Sequence, residues 1–335
     1  MLFPWSDETF LAEGPMPTQS RQARQGEAGR PTVVPAVLDG EVPVWAVGED
    51  GGAEPAGQCL VTCTRSADGA ARFAGIRGKI AAWMYEREIY RQQGFAVFRG
   101  MLDGPTLAIL NSEAKRLETS EIVAPSNIRT QHVRSLVNGS LLLEKFDPVL
   151  DLSKALADFS SGDTILEASR LLLATPSVTL FRDKLIYKHP GAPGYPLHQD
   201  YSWWHPVDPS SYCTLAVCLS DCTDDNGAIQ FLCDTHHSHL LPQGERRALR
   251  PAEIAALEAK KSVSCQTRAG DIIAFHSLAV HWSGPNLSSA SRPILYLGFI
   301  AGFRPELYGE HRRRQTSGLL ADLRYGVHGR EACFE

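Results

Sequence analysis

The chain has 335 residues, 43% of them hydrophobic and 21% charged, enough apolar material to bury a substantial core in one large domain or two modest ones. A formal charge of -5, with no basic cluster longer than His311-Arg312-Arg313-Arg314, argues against nucleic acid or an anionic membrane as a partner. Met1 to Phe10 carries neither a basic nor an apolar targeting segment and no apolar run is long enough to span a bilayer, so a cytoplasmic protein is expected.

Residues 1–76 are rich in Gly, Pro, Ala, Gln and Glu, and Gln19 to Gly29 and Gly48 to Gly57 read as loops. Short apolar runs at Val33 to Leu38, Val42 to Val47 and Cys59 to Thr64 are expected as strands of an extension laid on the edge of the main sheet. From Arg77 onward, residues 77–335 read as one domain. Ile80, Trp83, Met84 and Tyr90 recur at helical spacing, Gly94 stands where a helix would be capped, and Phe95 to Phe98 reads as a strand. Asp103, ahead of Gly104-Pro105 and the Leu107, Leu110, Ala114, Leu117 stripe, predicts a capped amphipathic helix. Further helices are expected from Asp147-Pro148 and over Thr164 to Leu173, and Glu121 to Gly139 reads as a polar loop long enough to serve as a lid.

The period then changes. Ser177 to Lys188, Tyr212 to Ser220, Ala228 to Leu232, Ser262 to Thr267, Asp271 to Phe275 and Ile294 to Ile300 are short β-branched and aromatic runs punctuated by Gly, Pro, Asn and Asp. They predict a mainly β fold, a sandwich or barrel with flanking helices, interrupted by a helical insertion near residues 250–260. The eight cysteines form no CxxC pair; the i, i+4 pairs Cys59/Cys63 and Cys218/Cys222 hint only weakly at zinc against buried or free thiols.

His198-Gln199-Asp200 is the feature with most chemistry in it. In an extended strand, side chains two apart share a face, so His198 and Asp200 can address one ion. A second imidazole would complete a two-histidine, one-carboxylate facial set, which leaves about three coordination positions open and is associated with non-haem Fe(II) oxygenases. His276 and His281 both qualify. His281 is preferred, because Trp282-Ser283-Gly284-Pro285-Asn286 follows it and Arg292 lies eleven residues further on, at the start of an apolar strand. His236, His237 and His239 cluster as well, with surface or structural roles expected first. A guanidinium at Arg292 pointing into a barrel would want a bidentate carboxylate partner, which the 5-carboxylate of 2-oxoglutarate supplies; Lys188, Thr214 and Gln199 are lesser candidates for the same co-substrate.

With these residues in place, the chain from about Arg77 to Phe303 resembles the phytanoyl-CoA dioxygenase family of Fe(II)/2-oxoglutarate-dependent oxygenases. The resemblance rests on Tyr90 to Gly100, Leu197-His198-Gln199-Asp200, Asn226-Gly227, Gly270-Asp271 and His281 to Asn286 with Arg292. It implies a double-stranded β-helix (a cupin-like jelly roll) with iron held by His198, Asp200 and His281 at its open end. It also implies use of O2 and release of succinate and CO2 as a small organic molecule is oxidised. Related halogenases lack the carboxylate ligand, so Asp200 favours hydroxylation. Cys233-Asp234-Thr235-His236 departs from the family's usual Pro-Gly-Ser/Thr-His, and residues 1–76 have no clear counterpart; they are expected to complete the pocket or an oligomer contact such as a homodimer.

For substrate, Trp203 and Trp204 follow the motif and Gln230 stands as a polar residue in an apolar strand, so all three are candidate pocket residues, with Arg129 and Arg134 for an anionic group. Against the enzyme stands a second class, a catalytically silent metal-binding barrel working as a binding or regulatory module. Intact Asp200 and Arg292 weigh against it.

Overall fold

The computed structural model describes residues 46–47, 53–54, 64–65, 71–72, 75–123, 129–203, 208–241 and 247–313, with the backbone alone for 46–47, 53–54, 64–65, 71–72, 75–82 and 202–203. Contacts divide the chain into Met1–Leu60 and Val61–Glu335. In the first unit, β1 (Ala46–Val47) pairs antiparallel with β2 (Ala53–Glu54). The expected strand at Val33 to Leu38 lies outside the described residues.

In the second unit, β3 (Thr64–Arg65) pairs with β4 (Ala71–Arg72), and α1 (Gly75–Gln93) leads into β5 (Phe95–Phe98). Gly94, between them, has φ +87° and could not carry a side chain without meeting the His236 ring. The helix α2 (Gly104–Glu118) is capped as expected, the Thr106 amide donating to Asp103 Oδ1 at 2.9 Å. Its neighbours differ from expectation. Thr130–Arg134 and Leu141–Phe146 form β6 and β7, so most of the expected lid is a hairpin continuing a sheet. Arg129, Arg134 and the Gly139 turn (φ +70°) belong to that hairpin's ends. Helix formation after Asp147-Pro148 is delayed to α3 (Lys154–Ser160), capped by Ser153, because Asp147 is instead buried against Arg182. Next, α4 (Asp163–Leu173) follows the expected stripe.

The barrel is built from β8 (Val178–Lys188), β9 (Tyr195–His198), β10 (Tyr212–Cys218), β11 (Ile229–Leu232), β12 (Ser262–Ser264), β13 (Ile272–His276), β14 (His281–Ser283) and β15 (Arg292–Ala301). The insertion before β12 holds the short α5 (Pro251–Ala255). One sheet runs β5-β13-β10-β15-β8-β7-β6 and the facing one β12-β11-β14-β9, every pairing antiparallel. From β8 to β15 the strands alternate between the two sheets, except that β11 and β12 both join the small one across the insertion, which is the double-stranded β-helix topology.

Period-two alternation sorts the large sheet's side chains. Leu185, Tyr187, Leu215, Val217, Leu295 and Leu297 face outward and bury Leu110, Leu117, Ile165 and Leu172 of the helices. The opposite face, with Ala216, Cys218, Ile273, Phe275 and Ile294, closes on Ile229 and Phe231 of the small sheet. Phe231 is fully buried, stacked on Phe95 at 4.4 Å and against Phe275 at 5.4 Å. Truncating it removes contacts from both sheets at once, so Phe231→Ala is expected to lower stability by about 3–5 kcal/mol. Urea unfolding of the two proteins measures this, and a loss near zero would mean that the interior is not closed over that ring.

Candidate metal centre

His198 is the last residue of β9 and His281 the first of β14, and the two are direct cross-strand partners. Their rings lie 4.2 Å apart between centroids. Asp200 is not on the strand, as the sequence spacing predicts, but opens a 3-10 turn (Asp200–Trp203). That turn still brings its carboxylate to within 3.7 Å of His198 Nε2. Ligand atoms of His198, Asp200 and His281 all lie within 4.8 Å of one another, and all three residues are buried.

The hydrogen bonds set the chemistry of these rings. Nδ1 of His198 faces Pro196 O at 2.8 Å and Nδ1 of His281 faces Ala279 O at 2.9 Å. A carbonyl can only accept, so each Nδ1 carries the proton and each neutral ring presents the Nε2 lone pair. Burial, with His281 alongside, pushes His198 down to about 3, and burial lowers His281 too. Burial opposes ionisation of Asp200. Lys184, His281, His198 and Arg182 outweigh it and hold the carboxyl at about 2. Two neutral imidazoles and one carboxylate are the protonation states a divalent metal requires.

Further along the inner face, Arg292 is 2% exposed and stands opposite Lys188. Its Nε donates to Asn226 O at 3.3 Å, while Nη1 is buried without a hydrogen-bond partner. An unmet donor of this kind costs about 1–3 kcal/mol, which a carboxylate would return. Burial works against the charge of Arg292, but Cys222 and Tyr296 raise its pKa. The Cys222 thiol is itself lowered, by a hydrogen bond from Cys218 and then by Arg292. Lys188 Nζ donates to Ser283 Oγ and Gly284 O, both at 2.6 Å.

These contacts explain the glycine and asparagine motifs. Gly227 has φ +79°, and a Cβ there would lie 2.5 Å from Gly284 O and 2.8 Å from Lys188 Cδ. Only glycine lets the Asn226 carbonyl reach Arg292 beside Lys188. Asn286 Nδ2 donates to Lys188 O at 2.6 Å and to Ala290 O at 2.8 Å, tying the end of β8 to the loop that precedes Arg292. Asp271 accepts from Arg99 and from the Gly100 and Arg268 amides, joining β5 to the barrel.

Arg182, Lys184, Asp200, Thr214, Tyr296 and Gly298 line a small, partly open cavity beside the triad, with a volume of about 10 Å³. Thr214, a co-substrate candidate from the sequence, is 3% exposed with Oγ1 unpartnered. Arg182, Lys184 and Tyr296 were not singled out from the sequence, although Arg182 and Lys184 share strand parity with Lys188.

Other candidate residues have structural partners. Gln199 is buried, but Nε2 donates to Ser238 O (2.9 Å) and Leu278 O (2.6 Å) and Oε1 accepts from the Leu240 amide (3.0 Å). Its amide clamps backbone at Ser238, Leu240 and Leu278. Gln230 faces away from the interior, because its neighbours Ile229 and Phe231 fill it and strand side chains alternate. Arg129 pairs with Asp151 Oδ2 at 2.7 Å, and Arg134 is exposed with Nη1 donating to Gly139 O at 3.3 Å. Neither reaches the cavity lining. The Trp203 side chain and Trp204 lie outside the described residues. His276 ends β13 and packs against Tyr90 and His236, apart from the triad. His236 and His237 group with Asp234, but Asp234 is bound by Lys260 at 2.9 Å. Cys213, Cys218, Cys222, Cys233 and Cys265 are free.

Residues 90–294 match the family model of phytanoyl-CoA dioxygenase (PhyH). The chain belongs to the phytanoyl-CoA dioxygenase family. As a member it is an iron- and 2-oxoglutarate-dependent dioxygenase. Similar characterised proteins include a 2-aminoethylphosphonate dioxygenase from the uncultured bacterium HF130_AEPn_1, 23% identical over 63% of this chain and 78% of that protein. A methylphosphonate hydroxylase from Gimesia maris is 31% identical over 44% of this chain and 56% of its own length. Among solved structures, the epimerase SnoN in complex with Fe3+, alpha ketoglutarate and nogalamycin RO superposes with a TM-score of 0.56 at 21% identity, over 68% of this chain and 87% of that one. That likeness supports the fold. No helix among the described residues is long and apolar enough to cross a membrane.

The reassignment of Gln199 is open to a direct check. Gln199→Leu is expected to lose about 1–3 kcal/mol for the backbone groups it strands. The KM for 2-oxoglutarate should stay within about twofold, because no uniform binding contact is removed. A large rise in KM with unchanged stability would restore Gln199 to the co-substrate site.

Proposed function

We propose that this dioxygenase hydroxylates a C–H bond of a small organic molecule, with His198, Asp200 and His281 holding Fe(II) and Arg292 receiving the 5-carboxylate of 2-oxoglutarate. The observation that carries this reading is the pair of rings locked with Nε2 inward beside an ionised Asp200, set above a buried guanidinium with an unmet N–H. The donor set fits ferrous iron: two imidazole nitrogens and one carboxylate on one side of the site, with positions left for ligands.

When bound, iron with 2-oxoglutarate and O2 supplies the oxidising chemistry, releasing succinate and CO2. The chain's own part is placement. Pro196 O and Ala279 O hold the two rings in one tautomer and orientation, so the donors need no rearrangement on loading. Arg292 and Lys188 fix the far end of the co-substrate, with Lys188 itself held by Ser283 and Gly284. Ile273, Phe275, Phe231 and Ile294 line the interior with hydrocarbon and keep bulk water from it. Presence of Asp200 as a ligand favours hydroxylation, since the carboxylate occupies a position a halide would need.

Anaerobic addition of Fe(II) and then 2-oxoglutarate should give a visible charge-transfer band, and admission of O2 should release succinate. His198→Ala and His281→Ala are expected to lose iron, and His276→Ala to keep it, as read by metal analysis after anaerobic purification. Arg292→Gln should raise the 2-oxoglutarate Kd by roughly 10–100-fold, the worth of one to two charge-assisted hydrogen bonds. A protein that binds iron, shows no band and makes no succinate would be the silent binding module instead.

A further inference from the structure

We infer that the substrate is a small organic anion, a carboxylate or phosphonate, whose charged group is held by Lys184 with Arg182 and the Thr214 hydroxyl in the cavity beside Asp200. The inference rests on the co-substrate reading above and adds to it a second, separate anion site.

The register of β8 on β15 sorts the interior cations into two levels. Lys188 stands opposite Arg292, Lys184 opposite Tyr296 and Arg182 opposite Gly298. Lys188 and Lys184 are four residues apart on one strand, about 13 Å along it at ~3.3 Å per residue. The deeper level, Arg292 with Lys188, takes the co-substrate. The shallower level lies at the metal, because Asp200 lines the same cavity as Lys184 and Arg182.

The partners of these cations differ in a telling way. Arg182 is committed on one side to Asp147 Oδ2 at 2.7 Å, while its Nε is buried without a partner. Lys188 is committed to Ser283 and Gly284. Lys184 lies over the ring of Tyr296, 4.9 Å from Nζ to centroid, and feels the charge of Asp200, but no hydrogen bond from its Nζ is seen among the described residues. A cation used structurally in an interior carries a carboxylate or carbonyl to match it. The opposite charge nearest in kind is Asp200, which is committed to the metal. Thr214 Oγ1, nine-tenths buried and unpartnered, opens on the same cavity. Gly298 faces Thr214 on one side and Arg182 on the other. It adds no side chain to the space between them. An ammonium, a guanidinium N–H and a hydroxyl able to donate stand around one small volume beside Asp200, and once Asp200 is taken by the metal the donors left over match an oxyanion.

Position then follows from charge. An anion seated on Lys184 would hold the rest of the substrate next to the metal face of Asp200, so that a neighbouring C–H lies where oxidation takes place. Tyr296 separates the levels. Its hydroxyl interacts with Arg292 below while its ring carries Lys184 above.

The test uses full-length protein loaded anaerobically with Fe(II) and saturating 2-oxoglutarate, titrated with probes while the visible band and the heat of binding are followed. Methylphosphonate, 2-aminoethylphosphonate, propionate and L-proline are compared with the uncharged dimethyl methylphosphonate, propionamide and L-prolinamide. The expected result is binding of at least one anion class and rejection of its neutral counterparts, which class it is deciding between phosphonate and carboxylate. Lys184→Met should weaken that binding roughly tenfold or more, and Lys184→Arg should restore part of it. Affinities for Fe(II) and 2-oxoglutarate should remain within about threefold in both variants. A Lys184→Met variant that loses iron would make Lys184 a positioning residue for Asp200, and one that loses 2-oxoglutarate would make it part of the co-substrate site; either overturns the inference. So would a wild-type enzyme that takes up 2-oxoglutarate yet binds the neutral probes as well as the anions. Failure of the wild type to take up 2-oxoglutarate at all would instead strike the co-substrate reading.

Discussion

The antiparallel pairing that sets His198 opposite His281 is the constraint on which the rest of the site depends. The small sheet is only four short strands wide, and its β9 and β14 meet head-on at those two residues. A slip of one residue would turn one imidazole to the other face of the sheet and abolish the site. The register is held by Phe231, which pairs with His281 on the next strand and is buried between Phe95 and Phe275 of the opposite sheet. Core packing and ligand geometry are therefore one interaction seen from two sides. The two backbone carbonyls that accept from Nδ1, each two residues before its histidine, complete the arrangement by fixing which nitrogen faces inward.

The large sheet does the complementary work. Its outward positions are mostly apolar and bind the helices, with Asp183 as a buried carboxylate that accepts from the Val149 and Leu150 amides; its inward positions on β8 are Arg182, Lys184, Ile186 and Lys188, three cations in a stretch that would otherwise be core. Burying cations in a barrel is unfavourable unless they meet anions or acceptors. Arg182 meets Asp147, which is why the Asp147-Pro148 segment is not a helix start. Burial opposes ionisation of Asp147, and Arg182 first among its neighbours keeps the carboxyl well below its ordinary value. Carbonyls and hydroxyls from the loop after β14 meet Lys188. The helix boundary and the loop geometry are thus consequences of where the interior charges had to be matched.

These dependencies separate what the sequence makes legible from what it does not. The β-rich second half, the Asp103 cap and the Gly94 punctuation are local signals, and His198-Gln199-Asp200 and His281 to Arg292 are short motifs legible one by one, although 83 residues separate the two histidines. Gln199 and Gln230 show why a lone polar residue in an apolar stretch is hard to place from sequence: Gln199 satisfies backbone groups about forty and eighty residues away, and Gln230 faces out of the barrel. No window of sequence contains those partners. Asp200 reaches the metal face by a 3-10 turn, a route that gives the same outcome as the expected strand by different geometry. Strand β6 was hidden because it is a mostly polar edge strand, with Val133 its one apolar residue, and without β6 the apolar run of β7 had no visible partner. Lys184 was legible in principle. Once Lys188 is assigned to the interior, alternation places Lys184 and Arg182 there too.

Charge balance ties these observations together. With ferrous iron and the dianionic co-substrate in place, those two cancel. Asp200, Arg292, Lys188 and Lys184 remain, with Arg182 already offset by Asp147. One carboxylate against three cations leaves the interior positive, and a thiolate at Cys222 would remove only one of the surplus charges, at the deep level beside Arg292. The remaining positive charge sits at Lys184, on the metal side of Tyr296. A neutral substrate would leave that ammonium dehydrated and unpaired once the cavity closed around it, an unfavourable state in a low-dielectric interior. An anionic substrate brings the missing charge to the level of the metal, so the same electrostatics that make the empty barrel positive also select what enters it.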